Sequence, residues 1–367
     1  MARRAYRSVA VALLVAGFLA IAVVDDEFGG AAPSPLAAKQ PLPPRIGVAG
    51  ETSRRGCDRF AGPHGSDRSR GNLRHPYRTV RRLARALRSG QTGCLLPGRY
   101  SHPEVARLDR PGVTLRGVGP GRPLILDPIW ILPRAVGAGL YNIKLTTRDR
   151  VYVEPLKVQA DRARIVGNVI FGGPSASCIL VGSQNRVAGV TIERNVIRHC
   201  GRSGKFDHLI YVENARRTTI RWNLLTDNHG GWAVHLYPNA DDSLVEHNVI
   251  DGNFGGVIIA GYGDDTSSGN LIRANAITYS GPRRNVEASW QGRFGSDNRV
   301  TANCLFSQSA DAPSGIGERW GFSAGSNAVI GGSPYVDRTA GDYRFHSRSP
   351  CGGLVGDVAD AVSASLR

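Results

Sequence analysis

Asp207, His208, Tyr211, His235 and Glu287 are the side chains of this 367-residue chain best able to move protons. They fall in three short runs, DHLIYVEN (207–214), WAVHLYP (232–238) and NVEASW (285–290). In each run aliphatic residues alternate with polar or aromatic ones, the pattern of a strand with one buried and one solvent face. A histidine and a tyrosine on one such face can take and return a proton in turn. Arg202, Lys205, Arg283 and Arg284 flank them and can grip an anionic group by charge-assisted hydrogen bonds. Glu213, Tyr237, Asn285 and Trp290 add polar and ring-stacking contacts, and together these residues are the expected substrate-binding set.

Burial fixes an expected register. Ile179 with Val181, Ile210 with Val212, Val234 with Leu236, Ile258 with Ala260 and Val286 with Ala288 make five inward pairs. The residues between them then point outward as one column, Leu180, Tyr211, His235, Ile259 and Glu287. A second outward column reads Gly182, Glu213, Tyr237, Gly261 and Ser289. Neighbouring strands lie about 4.8 Å apart, so Tyr211 and His235 are expected on adjacent rungs.

What makes rungs of distant residues is a repeat. ARIVGNVI, TIERNVI, TIRWNLL, LVEHNVI, LIRANAI and RVTANCL recur with Asn168, Asn195, Asn223, Asn248, Asn275 and Asn303 at their turns, 27, 28, 25, 27 and 28 residues apart. A coil of that size cannot enclose a core alone, whereas stacked coils bury a continuous one. The asparagines are expected to turn the chain in a left-handed conformation and to link coil to coil through their amides. Weaker copies at Asn142 and Asn327 extend the array to about nine coils between 111 and 330.

This asparagine-turned, glycine-rich periodicity resembles the right-handed parallel β-helix family of pectate and alginate lyases. The resemblance implies an all-β solenoid with an N-terminal capping helix. TGCLLPGRY (92–100) is similar to the opening strand of extracellular members, and PYVDRTAGDYRFHSRSPC (334–351) to their closing segment. DHLIYV resembles an Asp-His-Gly-Ile-Tyr-Val motif of uncharacterised members, with Leu209 in place of the glycine, an exchange expected to narrow the groove. RRNVEAS resembles their Asn-Asn-Val-Glu-Ser.

Three arginines before an apolar run from Ser8 to Val24 read as an export signal. Residues 1–24 are therefore a signal peptide or, if uncleaved, a membrane tether through 8–24; the expected location is secreted or surface-anchored. A Pro/Ala/Gly-rich linker follows to 56, then an N-terminal cap over 57–110, the solenoid over 111–330 and a C-terminal cap and tail over 331–367. Val80, Leu83, Ala84 and Leu87 recur at helical spacing behind Pro76 and supply the capping helix. Six cysteines suit an oxidising compartment: Cys57 is expected with Cys94 and Cys304 with Cys351, while Cys178 and Cys200 read as unpaired core residues.

A net charge of +16 suits an acidic partner such as a uronate polymer, and equally an evenly charged, soluble surface. Nucleic acid is not expected, since no motif for it is present, and the chain is expected to act as a monomer. Trp222 and Trp232 read as packing groups, and Asp207 with His208 as a pair able to pin its loop through a mutual hydrogen bond. No cofactor is implied; the acidic turns Asp241-Asp242 and Asp264-Asp265 carry the oxygen ligands that calcium takes.

Two functions fit these residues. One is an enzyme acting on an acidic extracellular polysaccharide by β-elimination, with Tyr211 and His235 exchanging protons and arginine lowering the tyrosine pKa. Elimination is favoured over hydrolysis, which needs two carboxylates nearer than the roughly 14 Å expected between Asp207 and Glu287; a uronate epimerase shares the proton-abstraction step. The other is a glycan-holding surface protein that cleaves nothing.

Overall fold

The computed structural model describes residues 54–147, 153–172, 177–200, 207–317 and 320–363. Residues 1–53, with the expected export segment and most of the expected linker, and Arg202 and Lys205 lie outside them. Each coil lays down three short strands, and each strand pairs in parallel with its counterpart one coil away. The result among the described residues is a parallel β-helix with sheets of 11, 10 and 10 strands. Strand Leu244–Glu246 belongs to the first sheet, Val249–Asp251 to the second and Trp232–Asp241 to the third. One column of inward side chains, including Ile165, Ile192, Ile220 and Val245 of the first sheet, is fully buried along the axis. That continuous core is what a single coil cannot make.

The asparagines form the expected ladder. Each side-chain oxygen accepts from the backbone N–H and the amide of the asparagine one coil before it, as Asn195 does from Asn168 at 2.9 and 3.1 Å. The amide of Asn168 also donates back to the Leu140 carbonyl, so these fully buried polar groups are satisfied. The left-handed residue, however, is the one before each asparagine: Arg194, Trp222, His247, Ala274 and Ala302 have φ of 52 to 56°. Asn142 takes that preceding position, with φ 52°, and so stands outside the ladder. The ladder stops instead at the backbone N–H of Ile143, which donates to Asn168.

Both ends depart from expectation. The helix Val80–Ala86 caps the start, with Thr79 as N-cap accepting from the Arg82 N–H, three residues after Pro76. The first coil already lies at 92–108, inside the expected cap, since Thr92–Leu95 pairs with Thr114–Gly117 and Ala106–Leu108 with Ile129–Ile131. The C-terminal segment does not close the far end. Its hairpin and short helices lie along the outer face of the second sheet, where Val169, Val196, Leu224, Val249 and Ala276 offer an apolar column to Tyr335, Tyr343 and Val355. Cys304–Cys351 fastens that segment and Cys57–Cys94 the start. Cys178 and Cys200 are also bonded, against the sequence expectation: differing offsets from their asparagines still bring their Cα atoms to 5.4 Å across adjoining coils.

Candidate functional site

The third sheet carries the site. Strand Ile210–Arg216 pairs with Trp232–Asp241 so that Ile210 meets Val234, Tyr211 meets His235 and Val212 meets Leu236. All four aliphatic residues of those pairs are fully buried, which forces Tyr211 and His235 outward as neighbouring rungs. The next strand, Gly255–Gly263, is one residue out of the expected register: Val257 and Ile259 face the core, and Ile258 and Ala260 face out. Its run of apolar residues, GGVIIAG, has no polar alternation to betray the face. Ile258 is outward yet buried, because Trp232 covers it. The outward column is thus Leu180, Tyr211, His235, Ile258 and Glu287.

Four rings gather on this face. Tyr211 stacks on His235 with centroids 5.1 Å apart and planes 17° from parallel. His235 stacks on Tyr237 at 5.2 Å and 20°. His208 stands edge-on to both, 4.4 Å from His235 and 5.4 Å from Tyr211. Tyr237 is aimed by a bulge: Val212 pairs with Leu236 but Asn214 with Asn239, so Tyr237 and Pro238 stand opposite Glu213 alone. Proline, lacking an N–H, suits such a break in the ladder.

The central contact is His235 Nδ1 to His208 Nε2, 2.9 Å. It leaves Nε2 of half-buried His235 as the ring nitrogen without a protein partner among the described residues. Nδ1 of His208 is buried with no hydrogen-bond partner, which removes the expected bond to Asp207 through that nitrogen. Burial holds the His208 pKa down at about 3 and pushes that of His235 well below the usual histidine range, with the neighbouring His208 adding to the effect. Both rings are therefore neutral at pH 7. Tyr211 moves the other way: burial, then Glu213 and Tyr237, raise its pKa, so it is protonated and not lowered by arginine as expected. Tyr237 is raised by burial, Tyr262 and Glu213.

The remaining predicted residues divide. Trp232, which alternation marks only as packing, lies beside His208 and His235 at 5.7 Å from each and donates its indole N–H to Glu287. Gly255 makes that possible, since a Cβ there would collide with the indole. Glu287 is buried and binds Arg283 through both oxygens, at 3.1 and 2.7 Å, while the Arg283 guanidinium also lies over the Trp232 ring. Glu287 and Arg283 are thus spent on each other. Arg284 is exposed beside them and makes no ion pair among the described residues. Asn285 is buried and donates to the carbonyls of Phe306 and Ser314, so it braces a loop. Trp290 has the inward parity of Val286 and Ala288, packs against the core while staying half-buried, and donates to the Trp320 carbonyl, near exposed Phe294 and Trp320. Leu209 is fully buried in the core and narrows nothing. Asp207 is buried too, its carbonyl held by the Asn228 amide.

The donor set for a metal is thin. Among the described residues no three His, Cys, Asp or Glu side chains converge. Every cysteine is in a disulfide, His208 and His235 are turned onto each other, and exposed His199 and His229 stand 6.1 Å apart without a third donor. In the acidic turns Asp241 is engaged by Arg186 and the Ser268 N–H, and Asp264 by Arg293. Among the described residues no donor set fits copper or a caged calcium.

Comparison with known proteins places this geometry. The fold is similar to that of pectate lyase Pel9A, at a TM-score of 0.52 and 9% identity over 80% of this chain and 90% of that one. A GH136 lacto-N-biosidase from Eubacterium ramulus matches at 0.48 (11% identity; 74% and 67% covered), and a rhamnogalacturonan lyase at 0.47 (12%; 81% and 94%). No match was found among curated protein sequences. The profile described as "Periplasmic copper-binding protein (NosD)" matches residues 141–337, more than half of the chain and all of the strands that carry the site. The chain belongs to the NosD family of parallel β-helix proteins.

Proposed function

We propose that this is an exported carbohydrate-active β-helix protein whose third sheet binds an acidic polysaccharide and cleaves it by β-elimination. The observation that carries this reading is the 2.9 Å His208–His235 contact beside stacked Tyr211. A neutral His235 with a free Nε2 can take the C5 proton of a uronate. The electron pair left on C5 forms the C4–C5 double bond as the C4–O bond breaks, and the Tyr211 hydroxyl protonates the departing oxygen. His208 orients the His235 ring and shares its proton. Hydrolysis needs two carboxylates astride the sugar bond. Glu287 is committed to Arg283 and Trp232, and Asp207 is buried, which leaves Glu213 as the half-open carboxylate by the rings.

Neutralisation of the uronate carboxylate falls to exposed Arg284. Three disulfides and the family's periplasmic description support export. No step is routed through copper, because the donor set does not fit it. Alginate, pectate and glycosaminoglycan, followed by the absorbance of unsaturated product, test the proposal. Product from one of them, abolished in Tyr211→Phe and His235→Ala, is expected. A wild-type protein that binds a polymer and releases no product is instead a glycan holder.

A further inference from the structure

The outward column does not end at Leu180. Leu180 pairs with Lys157, Lys157 with Trp130 and Trp130 with Arg107, each one coil further toward the N-terminus. Ala106–Leu108, Ile129–Ile131 and Leu156–Val158 each bury their first and last residues and turn the middle one out. Arg107, Trp130, Lys157, Leu180, Tyr211 and His235 therefore form one straight stripe along the helix axis. At about 4.8 Å per rung, Trp130 stands roughly 14 Å from Tyr211.

The far end of the stripe is chemically distinct. The Arg107 guanidinium lies 5.7 Å and the Lys157 ammonium 5.8 Å from the centroid of the Trp130 ring, one from the rung before and one from the rung after. The ring holds two cations in place without neutralising them. Neither has an ion-pair partner among the described residues, whereas Arg81 of the capping helix and Arg110, Arg134 and Arg186 of the solenoid all reach carboxylates. Arg107 is exposed and Lys157 half-buried, so both charges are open to a ligand. Cations fixed in advance lose little freedom when an anion arrives.

We propose that Arg107, Trp130 and Lys157 form a distal subsite for the anionic groups of a glycan chain lying along the stripe, so that a long acidic chain is gripped three to five rungs from His235. This deepens the reading of the groove above and rests on it. The anionic group is a carboxylate or a sulfate; uronate oligosaccharides and sulfated ones of matched length tell them apart.

The test is calorimetric titration of the full chain with oligogalacturonate, oligoalginate and heparin-derived trimers and hexamers. Wild type is expected to bind one class of hexamer at least tenfold tighter than its trimer. In the double variant Arg107→Gln, Lys157→Gln that gain is expected to vanish, a loss of about tenfold or 1.4 kcal/mol, while trimer binding and thermal midpoint hold. Trp130→Leu, which frees the cations without removing them, is expected to lose part of the gain. His235→Ala is expected to keep the gain in full. An unchanged hexamer preference in the double variant overturns the subsite and leaves the groove standing. A wild type that binds none of the three classes overturns both.

Discussion

On the second sheet Asp251 is fully buried beneath the C-terminal segment; on the third, His235 lies half open in a cluster of rings. Both are titratable side chains in a solenoid of the same repeat, and they are treated in opposite ways. Asp251 is answered on every side: it accepts from Thr278 at 2.6 Å, Arg338 at 2.7 Å and Tyr343 at 3.3 Å. Burial still raises its pKa, with those bonds and the Arg338 charge working against the rise. His235 and His208 have each other, and beyond that contact His208 keeps a buried nitrogen with no partner. No cation or carboxylate among the described residues answers either imidazole by an ion pair. A complete network fastens a segment, while an incomplete, half-open one leaves groups free to act on something else.

The comparison can be broken from either side. The largest expected effect is on turnover: His235→Ala should lower product formation roughly 10²- to 10⁴-fold, the usual range for one acid–base group. Its unfolding free energy should stay within about 1 kcal/mol of wild type, as for other changes away from the core. Asp251→Ala should do the reverse, losing roughly 3 kcal/mol in urea unfolding because Arg338 is left beside a buried void. Glycan affinity of the folded Asp251 variant should not change.

The pH response sharpens the contrast. The folded His208 and His235 pKa values lie below the unfolded value of about 6.5, so below that pH the unfolded chain binds more protons. Stability due to His208 is complete above pH 6.5 and is lost on acidification toward its folded value of about 3, by roughly 1.4 kcal/mol per pH unit. Urea midpoints at pH 7, 5.5 and 4.5 should fall more steeply for wild type than for His208→Asn. Parallel slopes would remove the case for two neutral rings. Smaller effects are expected at the supports. Gly231→Ala drives a methyl into the Asp207 carbonyl oxygen and to 2.8 Å from His208 Nδ1, so it should shift the backbone that carries His208 and cut turnover about tenfold. Trp232→Phe deletes the bond to Glu287 and should cost about 1 kcal/mol of stability, with little change in turnover.

Much of this architecture is legible in the chain because its physics is periodic. Buried asparagines at 25- to 28-residue spacing and two aliphatic rows announce stacked coils, and alternation around Tyr211 and His235 puts them on one wall. Legibility ends where periodicity ends. GGVIIAG is apolar on both faces, so alternation assigns its faces one residue away from the pairing the structure shows. Pairing of Cys178 with Cys200 depends on how a turn folds, which no spacing encodes. The roles of Glu287, Asn285 and Trp290 are set by neighbours brought from other coils: Arg283 with Trp232, the Phe306–Ser314 loop, and Trp320. ARL, IWI and LKV show the same inward–outward alternation as the central strands, so the distal stripe could have been found from sequence by extending the column toward the N-terminus.

The most direct test of a neutral, ligand-facing histidine pair is ¹⁵N histidine NMR on the full chain, titrated with pH and then with oligouronate. His208 and His235 should both show neutral-ring nitrogen shifts from pH 7 down to pH 5, and His235 Nε2 should move on adding the oligosaccharide. Two rings that gain protons near pH 6.5, or a His235 signal indifferent to every acidic glycan, would contradict the account.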